Sequence, residues 1–223
     1  MSNVTYEQQG VIATITMDDG KGNAMNPEMI ADVNAALDQA EKEAKVVIIA
    51  GRPGLFCGGF DLKVIRSDDL ERKKVQSLGG TRLAMRIFGF PKPTVIAATG
   101  SCVALGGFLL LAGDYRIGIS GEFTIGLNEV AIGMSLPPFA LMLVDARIDK
   151  RFVTNAAISS TMYRPDDAIA PGFLDEVVAP EQLMERAAEK AAELALLDGE
   201  AFAKVKQDIR GASIAAILGA LGD

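Results

Sequence analysis

From Val4 to Met17 apolar and polar side chains alternate around a single glycine, Gly10, which predicts a hairpin of two strands ended by Asp18-Asp19-Gly20. The period then changes. Asn26-Pro27-Glu28 supplies an N-cap, a first-turn proline and an acid at the positive end of a helix. Met29, Ile30, Val33, Leu37 and Ala40 follow at helical spacing, so a helix is expected over residues 27–44. Val46-Val47-Ile48-Ile49-Ala50 is an unbroken apolar run rich in β-branched residues, the pattern of a strand covered on both faces. A second long helix is expected from Leu70 to Phe88, broken or bent at Gly79-Gly80, and Pro91-Lys92-Pro93 leads into a buried strand at Thr94–Ala98. A short apolar helix over 106–112 and short strands at 115–119 and 122–125 come next. Beyond Pro137 the pattern turns mainly helical, with helices expected near 139–146, 151–157, 165–168, 180–196 and 201–209.

Strands alternating with helices imply an α/β fold with parallel pairing, and such sheets place ligand sites where glycine loops leave strand ends and enter helices. No charge block or flexible linker divides the 223 residues, so we expect an α/β domain over residues 1–180 and a helical C-terminal segment, 181–223, packed on it or on a neighbour. The longest uncharged run, Pro93 to Gly113, contains Thr94, Thr99, Ser101 and four glycines. It reads as a buried strand, loop and helix rather than a membrane span.

Composition narrows the chemistry. Histidine is absent, which removes Ser/His and Cys/His nucleophiles, imidazole bases and histidine-based zinc sites together. The net charge of -7 disfavours nucleic acid as a ligand. The two cysteines, Cys57 and Cys102, make neither a disulfide framework nor a four-thiolate site, and the start lacks a basic-then-apolar signal, so a cytoplasmic chain without a bound metal is expected. Glycine, at 23 residues, exceeds the roughly 7% average, so tight backbone turns matter.

Two of those turns stand out: Leu55-Phe56-Cys57-Gly58-Gly59-Phe60-Asp61-Leu62 and Gly100-Ser101-Cys102-Val103-Ala104-Leu105-Gly106-Gly107, each running from a strand toward a helix. Such junctions leave backbone N–H groups free of helix bonds, and two of them can converge on one oxygen as an oxyanion hole. Tight turns alone would explain the same glycines. In Phe123 to Met134 a single acid, Glu129, sits among apolar neighbours that would raise its pKa and suit it to abstracting a proton from carbon, although composition alone would favour a solvent-facing glutamate on a loop.

These segments together resemble the crotonase superfamily, also called the enoyl-CoA hydratase/isomerase family, over nearly the whole chain. Asn23-Ala24-Met25 resembles the family's Asn-Ala-Leu, and Phe56-Cys57-Gly58-Gly59-Phe60-Asp61-Leu62 its Phe-Ser-Ala-Gly-x-Asp-Leu loop. Gly100 through Asp114 resembles its second glycine loop and helix, and Thr124 through Gly133 the segment that presents the acid. The resemblance implies a spiral of repeated ββα units with a helical C-terminal segment, and a trimer or hexamer. It places one oxyanion donor at the N–H of Phe60 and the second at Leu105, or at Gly106 if the glycine pairs are aligned. It implies Glu129 as catalytic acid/base, and contacts to the coenzyme A portion of an acyl-CoA thioester at Lys21, Ala24, Gly58, Gly59, Asp61 and Leu62. No cofactor is implied beyond the coenzyme A of the substrate itself.

Three departures carry weight. Leu105 stands where the family usually has glycine at the second oxyanion position. Phe108 stands where the family's hydratases have a second glutamate, and the chain after Leu197 is shorter than the usual helical tail. Together with Ile125-Gly126-Leu127-Asn128-Glu129, which resembles the isomerases, Phe108 favours a Δ3,Δ2-enoyl-CoA isomerase. A hydratase, a thioester hydrolase and a non-catalytic acyl-CoA binder remain as alternatives. Phe108, Met134, Phe139 and Leu143 are candidates for an acyl pocket, or simply for core.

Overall fold

A computed structural model describes residues 3–222. The predicted hairpin forms as β1 (Val4–Gln9) and β2 (Ile12–Met17), paired antiparallel with Val4 opposite Met17. The Asn26 side chain accepts from the Met29 N–H at 2.8 Å and starts α1 (Pro27–Glu43), whose Met29, Ile30, Val33, Leu37 and Ala40 are buried. From there the chain advances in a spiral, as the repeated ββα units require. Each turn lays one strand into a large sheet, the next strand into a small sheet, and then returns.

The first turn supplies β3 (Val46–Ala50) and β4 (Gly54–Cys57), followed by α2 (Leu62–Arg66) and α3 (Leu70–Phe88). The second supplies β5 (Thr94–Ala98), β6 (Gly100–Val103) and α4 (Leu105–Ala112). In the third, β7 (Tyr115–Ile119) and β8 (Ile125–Gly126) lead through a 3₁₀ turn at Val130–Ile132 to α5 (Pro138–Arg147). A short β9 (Glu176–Val178), α6 (Leu183–Leu194) and α7 (Gly199–Gly219) complete the described chain.

The large sheet has the order β1-β2-β3-β5-β7-β9 and the small one β4-β6-β8, and every pairing after the first hairpin is parallel. Val46, Ile48 and Ala50 face Leu183, Ala187 and Ala191 of α6, while Val47 and Ile49 face the main core with Ile96 and Ala98. Burial on both faces is why this strand shows no alternation in sequence.

Several expectations need correction. The second glycine loop is largely strand β6, and the first contains β4; both are four residues long and open on glycine, too short to show a period. β8 is confined to Ile125–Gly126, and the expected helix at 151–157 is a π turn at Thr154–Ile158. α3 passes through Gly79-Gly80 without interruption. α7 extends ten residues past the expected end at 209, to Gly219. No helix among the described residues is long and apolar enough to cross a membrane.

Candidate active site

The loop after β4 is held by the segment after β2. Asn23, fully buried with φ 43°, donates from Nδ2 to the carbonyls of Met17 at 2.8 Å and Phe56 at 3.1 Å, and so ties the end of β2 to β4. The Gly58 N–H then donates to Gly22 O at 3.1 Å, and the Met25 N–H donates to Gly59 O at 2.8 Å. This last bond fixes the plane of the Gly59–Phe60 peptide. In a trans peptide N–H and C=O point in opposite directions, so the Phe60 N–H faces away from Met25. It donates to no acceptor among the described residues. Gly59, at φ 98°, takes a conformation that side chains rarely adopt, and its own N–H is engaged by the Cys57 sulfur at 3.4 Å.

The second loop enters α4 through Ala104, whose φ of 54° and ψ of -124° are unusual for a residue with a side chain. Its carbonyl accepts from the N–H groups of Gly107 at 2.8 Å and Phe108 at 3.2 Å. The Leu105 N–H therefore points out of the helix start, also without a partner among the described residues. A Cβ placed on Gly59 would lie 3.6 Å from Leu105 N, which brings the two loops side by side at the Phe60 and Leu105 peptides. Gly106 is instead pressed onto β4, where a Cβ would meet Cys57 O at 2.1 Å.

Glu129 follows β8 at the start of the 3₁₀ turn. Its backbone carbonyl accepts from Ile132 at 3.1 Å and Met134 at 2.9 Å, and the Ser160 hydroxyl receives the Ala131 N–H at 3.2 Å. The turn is therefore fixed from inside and outside. The residue is 7% exposed, and its Oε2 is buried without a hydrogen-bond partner. Removal from water pushes the carboxyl above its ordinary pKa, with a backbone hydrogen bond opposing part of the rise. A 440 Å³ cavity joins Glu129 to Gly58, Phe60, Leu62 and Ala104, so residues more than seventy positions apart share one wall. Apart from Glu129 the wall's polar side chains are Asn128, with a buried unpartnered Oδ1, and Arg66. The remainder is apolar, including Ile65, Ile132 and Met134.

A desolvated carboxylate beside two unused N–H groups suits a reaction that takes a proton from carbon and places negative charge on oxygen. Comparison with known proteins agrees in class. Residues 7–216 match the family described as enoyl-CoA hydratase/isomerase. The chain belongs to the enoyl-CoA hydratase/isomerase family. A putative enoyl-CoA hydratase of Thermus thermophilus is 30% identical over 84% of the chain and 76% of its own length. The mitochondrial enoyl-CoA delta isomerase 1 of Rattus norvegicus is 26% identical over 82% of the chain and 65% of its own length. A Mycobacterium tuberculosis protein has been solved under two names. As a probable enoyl-CoA hydratase it superposes with TM-score 0.93 at 38% identity, covering 97% of this chain and 92% of that one. As an enoyl-CoA isomerase it does so at 0.92 and 37%, covering 98% and 95%.

Among the positions that the family resemblance singles out, Gly58, Phe60, Leu62 and Glu129 line the cavity, Gly59 and Leu105 are chain neighbours of the lining residues Gly58 and Ala104, and Gly106 packs on β4. Asp61 caps α2 by accepting the Lys63 N–H at 2.8 Å. Lys21 is exposed and Ala24 half-buried, both outside the cavity wall. The four residues left open between acyl pocket and core divide between the two. Phe108, Phe139 and Leu143 belong to the core, the two rings meeting edge to face at 5.6 Å, and only Met134 reaches the cavity. Cys57 and Cys102 are buried, with the Cys57 thiol pushed up to about 12 and Cys102 also raised by desolvation, as an inert pair would be. Sequence reasoning missed Arg66, Asn128 and Ser160. Asn128 adjoins the conspicuous acid and was open to notice, whereas Ser160 is placed by long-range packing that no local pattern encodes.

Proposed function

We propose that this chain is a Δ3,Δ2-enoyl-CoA isomerase. The observation that carries the reading is that Glu129 is the one carboxylate on the cavity wall, while Phe108, in the place of the hydratases' second glutamate, is 2% exposed and packed against Phe139. Hydration requires a held water and proton delivery, usually divided between two carboxylates. Double-bond migration requires one. Glu129 takes a proton from C2 of a 3-enoyl thioester, the electron pair spreads onto the thioester oxygen as a dienolate, and the protonated Glu129 returns the proton to C4. The new double bond then lies between C2 and C3. The oxygen is held by the N–H groups of Phe60 and Leu105, each worth about 3 kcal/mol in the transition state. Coenzyme A enters as part of the substrate, and the reaction needs no further cofactor. The proposal includes a cytoplasmic homotrimer or a pair of trimers.

A hydratase is the second reading, favoured by the names of the Thermus relative and of one mycobacterial structure. An absorbance assay separates the two. With 3-enoyl-CoA esters of several lengths, the isomerase generates the conjugated 2-enoyl absorbance, and Glu129→Gln loses about 1,000-fold or more of the rate while still binding the ester. Loss of absorbance from a 2-enoyl ester at a faster rate than this isomerisation would replace the proposal with the hydratase. Binding without turnover of either ester would leave an acyl-CoA binder.

A further inference from the structure

We propose that Gly80, in the middle of α3, is a positioning residue for the paired N–H groups, because the space left by its missing side chain seats the side chains of Phe60 and Leu105 together. The inference rests on the reading of Phe60 and Leu105 as the oxygen-binding pair. Two consecutive glycines inside a 19-residue helix oppose its formation and call for a cause. A bend is not the cause, since the helix is continuous. At Gly79 an added Cβ would approach Ile30 Cγ2 at 3.3 Å and Cδ1 at 3.5 Å, a tight contact that the Ile30 side chain relieves by giving a few tenths of an ångström. At Gly80 it would fall 2.4 and 2.6 Å from Cε1 and Cζ of the Phe60 ring and 3.0 Å from Leu105 Cδ2. The atoms that fill this one gap come from the two residues whose N–H groups have no acceptor among the described residues.

The arrangement works like a two-sided clamp. On one side the Met25 N–H holds the Gly59 carbonyl, and on the other Gly80 receives the Phe60 ring, so the peptide between them has little freedom to turn. One helical turn earlier, Gln76 is buried and its Nε2 donates to the Asp61 carbonyl at 3.4 Å, two peptides further along the same loop. Leu105, where the family pattern has glycine, fits at the head of α4 because Gly80 offers no Cβ to oppose it. An alanine at 80 must displace the ring by up to about an ångström, and Phe60 borders the cavity. Phe60 would move with respect to the reacting oxygen.

The test compares Gly80→Ala, Phe60→Leu, their double variant and the neighbour control Gly79→Ala. For each we would follow isomerisation kinetics, thermal melting and the infrared carbonyl band of a bound 2-enoyl-CoA thioester, which moves to lower frequency when N–H groups polarise it. Gly80→Ala is expected to lower kcat about tenfold or more with KM changed less than about threefold, and to shift the bound carbonyl back toward its free position. Gly79→Ala should match wild type. Phe60→Leu retains the N–H but removes the clashing ring atoms, so in that background Gly80→Ala should cost less than about threefold. Wild-type kcat and carbonyl band in Gly80→Ala would overturn the proposal, as would an equal loss in both backgrounds. Should Gly80→Ala not fold, Phe60→Ala empties the seat from the other side; an unchanged carbonyl band there would overturn it equally. The band tests the clamp even if wild type isomerises no ester, and a wild-type band at the free-ester position would remove the N–H pair on which the proposal stands.

Discussion

Glu129 combines a stability cost with the chemical use proposed for it. Its carboxyl is raised by burial, so between the unfolded and folded pKa values the native state holds more protons than the unfolded chain. Stability from this group is therefore fully present below the unfolded pKa and is lost as pH rises through the folded one. Glu129→Gln should consequently be more stable than wild type in urea at pH 7, with the gap closing as the pH falls below the ordinary carboxylate range. A gap that widens toward acid would mean that Glu129 is stabilised as an anion. The activity should show the opposite slope, rising with pH as the base becomes ionised. Ala104 carries a second local cost, since its φ of 54° and ψ of -124° suit glycine. Ala104→Gly is expected to raise unfolding stability by about 1 kcal/mol, the relief of strain outweighing the added chain entropy. A lower urea midpoint would show that the position is unstrained.

α7 is attached through a charge cluster near its middle and through Ile214, Ile217 and Leu218, which pack half-buried against the main core, toward its end. Asp114, at the head of β7, accepts from Lys206 Nζ at 2.5 Å and Arg210 Nη1 at 2.8 Å, and also from the Thr94 N–H at 2.9 Å. Lys206 donates further to the Phe90 carbonyl at 2.8 Å, and desolvation, outweighing its pairing with Asp114, lowers its pKa to about 8. The unfolded chain thus binds more protons from about 8 up to the ordinary lysine value, and this group's contribution to stability grows with pH across that window. Removing the shared anion strands the buried Lys206 and the half-buried Arg210, so Asp114→Asn should lose about 3 kcal/mol or more in chemical denaturation, whereas Lys206→Met should lose clearly less. Equal losses would mean that the pairing, not the stranded charge, sets the energy. None of this network was legible in sequence, because its members lie 92 and 96 positions from Asp114. By contrast α1 announced itself through Asn26, Pro27 and a clean apolar stripe, and β3 through its unbroken run. The strands β4, β6 and β8 were hidden or misplaced because two to four residues rich in glycine carry no period, and their existence depends on pairing with one another.

The spiral explains why the site was legible when the small sheet was not. Each turn delivers one strand end to the same edge, so the loops at Gly58–Phe60 and Ala104–Leu105 and the acid at Glu129 converge although no two are neighbours in sequence. The Gly58-Gly59 and Gly106-Gly107 pairs at these loops and the isolated acid at Glu129 are local marks that sequence preserves. The rest of the cavity wall carries no such mark, since Ile65, Arg66 and Ile132 are ordinary residues until the loops meet. The same convergence leaves apolar side chains outside: Leu62 is 50% exposed, Ile132 53% and Met134 44%, all on the cavity wall. An enzyme that binds an acyl chain in water gains from keeping such a mouth covered, and a cyclic assembly of identical chains covers equivalent surfaces on every copy at once. If the proposed trimer is right, light scattering coupled to size exclusion should give a particle of about 70 kDa, or a whole multiple of it, from a chain of 23.5 kDa. Dilution should not divide it while acyl-CoA is bound. A particle of one chain mass that turns over 3-enoyl esters would show that the mouth works uncovered, and would separate the chemistry of Glu129 from any need for a neighbour.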